Sequence, residues 1–236
     1  MRCLAMGLLA TIVAMSSSQA ALISEFEPNP PGSDPANVNF ELSGDANSSF
    51  SYWILSIEDD GDSGLVDRAA SVSGTFDSNG LAVVSVGDLE NPSFTVMLVD
   101  TFTGMVGTSD IDDDNDGVVD TTFWNTVEDA LGVPDDGSEA LYASQLGGVD
   151  FAYSGDEPQL MFREGSTGAW FAINDPAGTE AYAEDGSTVS FASFSTDPSV
   201  TTFGAINPTA VPEPGSLLAL TLCGGVVARR IRRRQR

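Results

Sequence analysis

Lysine and histidine do not occur in this chain of 236 residues, and its two cysteines, Cys3 and Cys223, stand near its two ends. Between them there is no thiolate or imidazole to ligate a soft metal, no histidine for a catalytic triad and no lysine for a Schiff base. Disulfides are excluded from residues 21–210, and redox chemistry through Cys- or His-bound centres goes with them. Basic charge is scarce too: nine arginines face 35 acids, for a net charge of −26. Six of the nine lie within the last eight residues, at Arg229, Arg230, Arg232, Arg233, Arg234 and Arg236. Residues 21–210 therefore carry 34 acids against Arg68 and Arg163, a net −32. Such a surface repels nucleic acid and anionic lipid and attracts cations. Nucleic acid is set aside as a partner.

What the ends contain is address information. Arg2 precedes an apolar run from Leu4 to Met15 and a small polar stretch from Ser16 to Ala20. That order predicts a signal peptide over 1–20, cut between Ala20 and Ala21. At the other end, the apolar run 217–228 would reach about 18 Å as a helix, short of a bilayer core of roughly 30 Å unless Gly215, Ser216 and snorkelling arginines extend it. Arginine-rich flanks stay on the cytoplasmic side, which places the domain outside. Val211-Pro212-Glu213-Pro214, the apolar run after it and the terminal arginines resemble the PEP-CTERM sorting signal of Gram-negative bacteria. The resemblance covers 211–236, with a transmembrane segment at about 215–228 and a basic end at 229–236. It implies an exosortase-type processing enzyme as partner, attachment to the inner membrane before processing, and the cell surface or exopolysaccharide matrix as destination.

Residues 21–194 read as one all-β domain. Short runs rich in Val, Phe, Tyr and Trp lie between Gly, Asn, Asp and Pro. They are Leu22–Phe26, Val38–Leu42, Tyr52–Ile57, Ala70–Phe76, Leu81–Val86, Phe94–Val99, Val149–Tyr153, Leu160–Arg163, Trp170–Ile173 and Val189–Phe194. Asp77-Ser78-Asn79-Gly80 predicts a hairpin turn. Phe123, Val127 and Leu131 recur every four residues, so 123–131 reads as a helix or a strand. The regular spacing predicts an antiparallel β-sandwich with an insertion at about 104–148 that holds an acidic loop. Residues 195–210, rich in Ser, Thr and Pro with Asp197 the single acid, read as a linker. The opening Leu22-Ile23-Ser24-Glu25-Phe26, the Asn29-Pro30-Pro31-Gly32 turn and Phe40-Glu41-Leu42 resemble bacterial lamin-tail domains, although Ser43-Gly44 and the insertion depart from that pattern. This resemblance implies an immunoglobulin-like sandwich with an attachment role.

The candidate site is the loop 110–120, in which five of the seven residues from Asp110 to Asp116 are aspartates. Counted from Asp112, carboxylates fall at positions 1, 3, 5 and 9 (Asp112, Asp114, Asp116, Asp120), Gly117 at 6 and the Val118 carbonyl at 7. Alternating oxygen donors on a tight turn suit Ca²⁺. Position 12 is Phe123 in place of a bidentate Glu, so the loop resembles thrombospondin type-3 and dockerin repeats more than an EF-hand, with Asp110 or Glu128 left to complete the shell. The competing reading is a solvated acidic loop, and the looser runs 58–62 and 135–137 read as turns. Trp53 and Trp170 stand in apolar runs and read as core. No catalytic residue stands out among so many acids. The expected function is an exported, non-enzymatic, Ca²⁺-stabilised surface or matrix protein that binds exopolysaccharide or other surface proteins. The alternative is a secreted carboxylate-based, Ca²⁺-dependent hydrolase.

Overall fold

A computed structural model describes residues 20–211 except 33–34, 60, 62, 90–92, 136–139 and 154. The expected signal segment up to residue 19 and the Pro212-Glu213-Pro214 motif, apolar run and basic end lie outside the described residues. Among the described residues no helix is long and apolar enough to cross a membrane.

Twelve strands are described: β1 (Leu22–Phe26), β2 (Asn37–Ser43), β3 (Ser49–Glu58), β4 (Val66–Thr75), β5 (Leu81–Gly87), β6 (Phe94–Val99), β7 (Val127–Val133), β8 (Val149–Asp150), β9 (Leu160–Arg163), β10 (Trp170–Ile173), β11 (Glu180–Ala183) and β12 (Thr188–Ser190). They build a seven-stranded sheet, β12-β11-β10-β9-β1-β2-β5, and a five-stranded sheet, β4-β3-β6-β7-β8. All pairings are antiparallel except β7 with β8. Ile23, Phe26, Phe40, Leu42, Met161 and Trp170 of the first sheet share one buried cluster with Phe50, Ile54, Val96, Leu98, Leu131 and Val133 of the second. The sheets therefore face one another across a common core, as sandwich layers do. Phe26 stacks on Phe40 at 4.9 Å and meets Trp170 edge-on at 6.2 Å, so Trp170 is core, as its apolar run predicts.

Both sheets are also covered on their outer faces, because residues of opposite parity along a strand enter different clusters. On β6, Val96 and Leu98 face the inner core while Met97 and Val99 join Leu55, Ile57, Ile111 and Tyr142 on the far side. All six β6 residues are buried, which explains a strand with no polar alternation. On the other sheet, Phe162, Phe171 and Ile173 pack outward against Phe194.

The structure decides one open alternative here and changes two expectations. Residues 127–133 form β7, not a helix: pairing with β6 from Val99↔Val127 to Phe94↔Val133 satisfies backbone groups that burial of β6 would otherwise orphan. The expected insertion therefore contains a central strand, and only the segments before and after it are excursions. Asp77–Gly80 does make a tight turn, with Asp77 Oδ1 accepting the amides of Asn79 (2.7 Å) and Leu81 (2.9 Å). Yet β4 pairs with β3 and β5 with β2, so the turn carries the chain between sheets instead of closing a hairpin.

The other change concerns residues 195–210, where composition predicts a linker. The chain there lies against the domain: Phe194 bridges Ala210, and Ser195 N donates to Thr209 O at 2.9 Å. Val211 N still donates to Ser193 O at 2.7 Å. The folded unit thus continues to Val211, because this strap supplies donors to carboxylates buried on the outer face of the seven-stranded sheet. Ala20 is exposed, and Ala21, immediately before β1, is buried.

Candidate metal centre

After β6 the chain crosses the outer face of the five-stranded sheet, and Ile111, fully buried in that outer cluster, pins the acidic loop to it. The approach is fixed by a short ladder: Leu65 bridges Asp110, Ile111 N donates to Gly64 O at 2.9 Å, and Val66 N donates to Ser109 O at 2.8 Å. The exit is fixed on the same residue, since Asp120 N donates to Ile111 O at 2.7 Å. Gly64 is required at this crossing. Its φ is +93°, and a Cβ there would lie 2.6 Å from Asp110 Oδ1.

Within this frame Asp112 organises the turn. It is fully buried, with Oδ1 accepting the Asp116 amide at 3.1 Å and Oδ2 accepting the Gly117 amide at 2.8 Å. The Tyr142 hydroxyl donates to the same Oδ2 at 2.8 Å and lies 2.6 Å from Ser63 Oγ. Asn115 and Gly117 take left-handed conformations, φ 56° and 83°, which wrap the backbone around the carboxylate. Gln145 clamps the far side, donating to Gly117 O at 2.8 Å and accepting from Val119 N at 3.1 Å. Burial raises the Asp112 pKa, but the Tyr142 hydroxyl and the amides of Gly117, Asp116 and Asn115 outweigh it and hold the carboxyl below its ordinary range. Burial pushes the Tyr142 hydroxyl well up, an effect the Asp112 charge reinforces and the Ser63 bond opposes.

Asp112, Asp114 and Asp116 each place a carboxylate oxygen within 4.8 Å of the other two. Oxygens at 2.3–2.6 Å around one ion stand at most about 5 Å apart, so the three can share a Ca²⁺. Asp112 is buried while Asp114 and Asp116 are exposed, which leaves the remaining coordination directions to water or ligand. No family model, curated protein or solved structure matches the chain. The donor set itself must then define the chemistry: oxygen-only, anionic and tightly turned, it suits a hard cation.

Not every predicted ligand joins the cluster. Asp120 turns its Oδ2 to the Asp113 amide at 3.2 Å, and Asp110 Oδ1 accepts the Asp112 amide at 2.9 Å. Val118 is half exposed on the loop, its amide donating to Asp116 Oδ1 at 3.0 Å. Glu128 sits on β7, where burial first and the Glu128 charge second push Tyr52 up; it does not reach the loop's carboxylates. Tyr142, Ser63 and Gln145 were not foreseen. They come from distant stretches with no metal-ligand spacing, so only the fold brings them to the loop.

Proposed function

We propose that the chain is an exported, non-enzymatic surface or matrix protein whose acidic loop binds Ca²⁺. The observation that carries the metal reading is the convergence of Asp112, Asp114 and Asp116 on one point of a pre-shaped turn. Three anionic side chains at that spacing repel one another, and a divalent cation removes the repulsion. The loop also closes the outer cluster around Ile111 and Tyr142, so a bound ion stabilises that layer of the fold.

The rest of the reading comes from the sequence. The signal segment and the PEP-CTERM-like tail direct an acidic, thiol-free sandwich of immunoglobulin-like kind across the inner membrane and, after processing, to the surface or the exopolysaccharide. Ca²⁺ would then join the loop to anionic polymer or neighbouring surface proteins through its open coordination positions.

Thermal melting of the chain with Ca²⁺, with Mg²⁺ and with chelator tests this. For an affinity near 10⁻⁴ M, tenfold excess Ca²⁺ adds about 1.4 kcal/mol, a rise of roughly 3–6 °C for a domain of this size. The rise should vanish in Asp114→Asn, a residue whose exposed carboxylate makes it dispensable to the metal-free turn. An equal rise with Mg²⁺ would reduce the loop to a site of general charge screening and defeat the proposal.

A further inference from the structure

The outer face of the seven-stranded sheet carries two glutamates among its apolar side chains. Glu25 on β1 and Glu41 on β2 are cross-strand partners, 1% and 0% exposed. Adjacent buried carboxylates repel, and desolvation disfavours their charge. Among the described residues no arginine is bonded to them: Arg163 is committed to Asp129, and Arg68 lies on β4 in the other sheet. Their partners come chiefly from the strap. Thr202 N donates to Glu25 Oε1 at 2.8 Å and Gly204 N donates to Glu41 Oε2 at 2.6 Å, with Ser24 Oγ donating to Glu41 Oε1 at 2.9 Å.

Proton accounting at Thr202 bears on the state of Glu25. The Asn207 side-chain amide donates to two backbone carbonyls, Ser24 O at 3.0 Å and Arg163 O at 2.9 Å. Carbonyls only accept, so the Asn207 NH₂ faces them and its Oδ1 faces Thr202 Oγ, 2.6 Å away. That Oδ1 also only accepts, and it takes the single proton of the Thr202 hydroxyl. Thr202 Oγ and Glu25 Oε2 are nevertheless 2.7 Å apart. With the threonine proton spent, the bond between them needs a proton on the glutamate.

We infer that residues 195–211 are a proton-latched strap, docked while Glu25 is protonated and loosened when that proton leaves. After ionisation the Thr202 hydroxyl can serve Glu25 or Asn207 but not both, leaving either Asn207 Oδ1 without that donor or Glu25 Oε2 with only the Thr202 amide at 3.1 Å. Burial pushes Glu25 up to about 7 even against the bonds that Thr202 can donate to its ionised form, with the charges of Glu41 and Glu27 adding to the rise. Glu41 is itself raised by burial and by Asp77. On β9 the cross-strand neighbour is Phe162; beyond it Glu164 is bonded to Ser166 and Thr167 and accepts the Ala210 amide at 2.8 Å. Asp197, the strap's own acid, is turned to Ser199. Among the described residues no positive group thus offsets the Glu25 charge.

The sign follows from the two values. Undocked, Glu25 titrates near its ordinary 4.5; docked, it titrates near 7. Docking is strongest below pH 4.5, weakens up to tenfold per unit as pH rises to about 7, roughly 300-fold in all, and is flat above. Val211, the last described residue of the strap, immediately precedes Pro212. On the sorting-tail reading, which only this consequence needs, release would convert a docked segment into a tether on the order of 50 Å long when extended.

Amide hydrogen exchange in the full-length chain between pH 4.5 and 8 is the test, with rates corrected for intrinsic exchange. Protection at Thr202 and Gly204 should fall by about two orders of magnitude relative to Leu98 in the core. Glu25→Gln keeps a donor for Thr202 Oγ but cannot ionise, so its strap stays protected at every pH. Should that variant not fold, Glu25→Met abolishes the response by removing the ionisable group, and Thr202→Ser retains it. Strap protection that is constant or rises with pH, or a response that survives Glu25→Gln or Glu25→Met, overturns the inference. None of these readouts involves tail processing, so failure here is separate from failure of the sorting reading.

Discussion

Replacing Arg163 by alanine should be among the costliest single changes in the domain. Its guanidinium joins the two sheets: Nη2 donates to both Asp129 oxygens on β7 at 2.7 and 2.9 Å, while Nε and Nη1 donate to Ile23 O and Gly168 O at 2.9 and 3.0 Å. The guanidinium carbon also lies 4.5 Å from the Trp170 ring centroid. Asp129 is only 7% exposed. Removing the cation leaves a buried carboxylate without its counter-charge, which costs about 3–5 kcal/mol, or roughly 6–20 °C in Tm. Even with Arg163 present, burial outweighs the arginine and raises the Asp129 pKa above its ordinary 3.8. Without it the carboxyl rises further. The penalty then exists above the unfolded value and shrinks as pH falls toward about 4. Urea unfolding at pH 4 and pH 7 measures it, and the deficit of Arg163→Ala should be clearly larger at pH 7. The double variant Arg163→Met with Asp129→Leu should recover much of the loss. A loss below about 1 kcal/mol, or one equal at the two pH values, would refute the view that the pair is a desolvated inter-sheet clamp.

Other expectations can be checked by similar means. Gly80 has φ +80° and a Cβ there would lie 2.3 Å from Gly44 O, so Gly80→Ala should cost on the order of 1–3 kcal/mol in chemical denaturation. Tyr142→Phe removes the hydroxyl donated to buried Asp112 and should cost about 1–3 kcal/mol; calorimetric unfolding would report it. Burial raises Glu164, but bonds from Ser166, Thr167 and the Ala210 amide outweigh it and hold the carboxyl down at about 2. Its stabilisation is therefore complete above about pH 4.5 and lost as pH falls toward 2. Glu164→Gln should flatten stability over that acid window, which lies below the one assigned to Glu25.

Much of the fold was legible because strand signals are local. Phe94–Val99, Leu160–Arg163 and Trp170–Ile173 are bounded in the structure as their apolar runs predict. β11 was not visible: Glu180-Ala181-Tyr182-Ala183 offers weak β propensity and is held by its neighbours on β10 and β12. β7 carries a four-residue apolar spacing that also fits a helix, and only the unpaired edge of β6 decides between them. The strap was misjudged because Ser, Thr, Asn and Gly read as linker by composition. Here their hydroxyls and amides satisfy Glu25, Glu41 and Glu164, contacts as far as 177 residues apart in sequence. At the acidic loop, the alternation of aspartates announced the turn and the three carboxylates that converge on it. The positions of Asp110 and Asp120 depend on backbone amides that spacing does not reveal.

Calorimetric titration of Ca²⁺ into the metal-free chain tests the central claim most directly. The account predicts a saturable site of one Ca²⁺ with a sub-millimolar Kd, lost in Asp114→Asn and kept in Asp185→Asn, where the carboxylate serves only a local turn with Ser187. Absence of saturable heat, or the same isotherm in Asp114→Asn as in the natural chain, would contradict it.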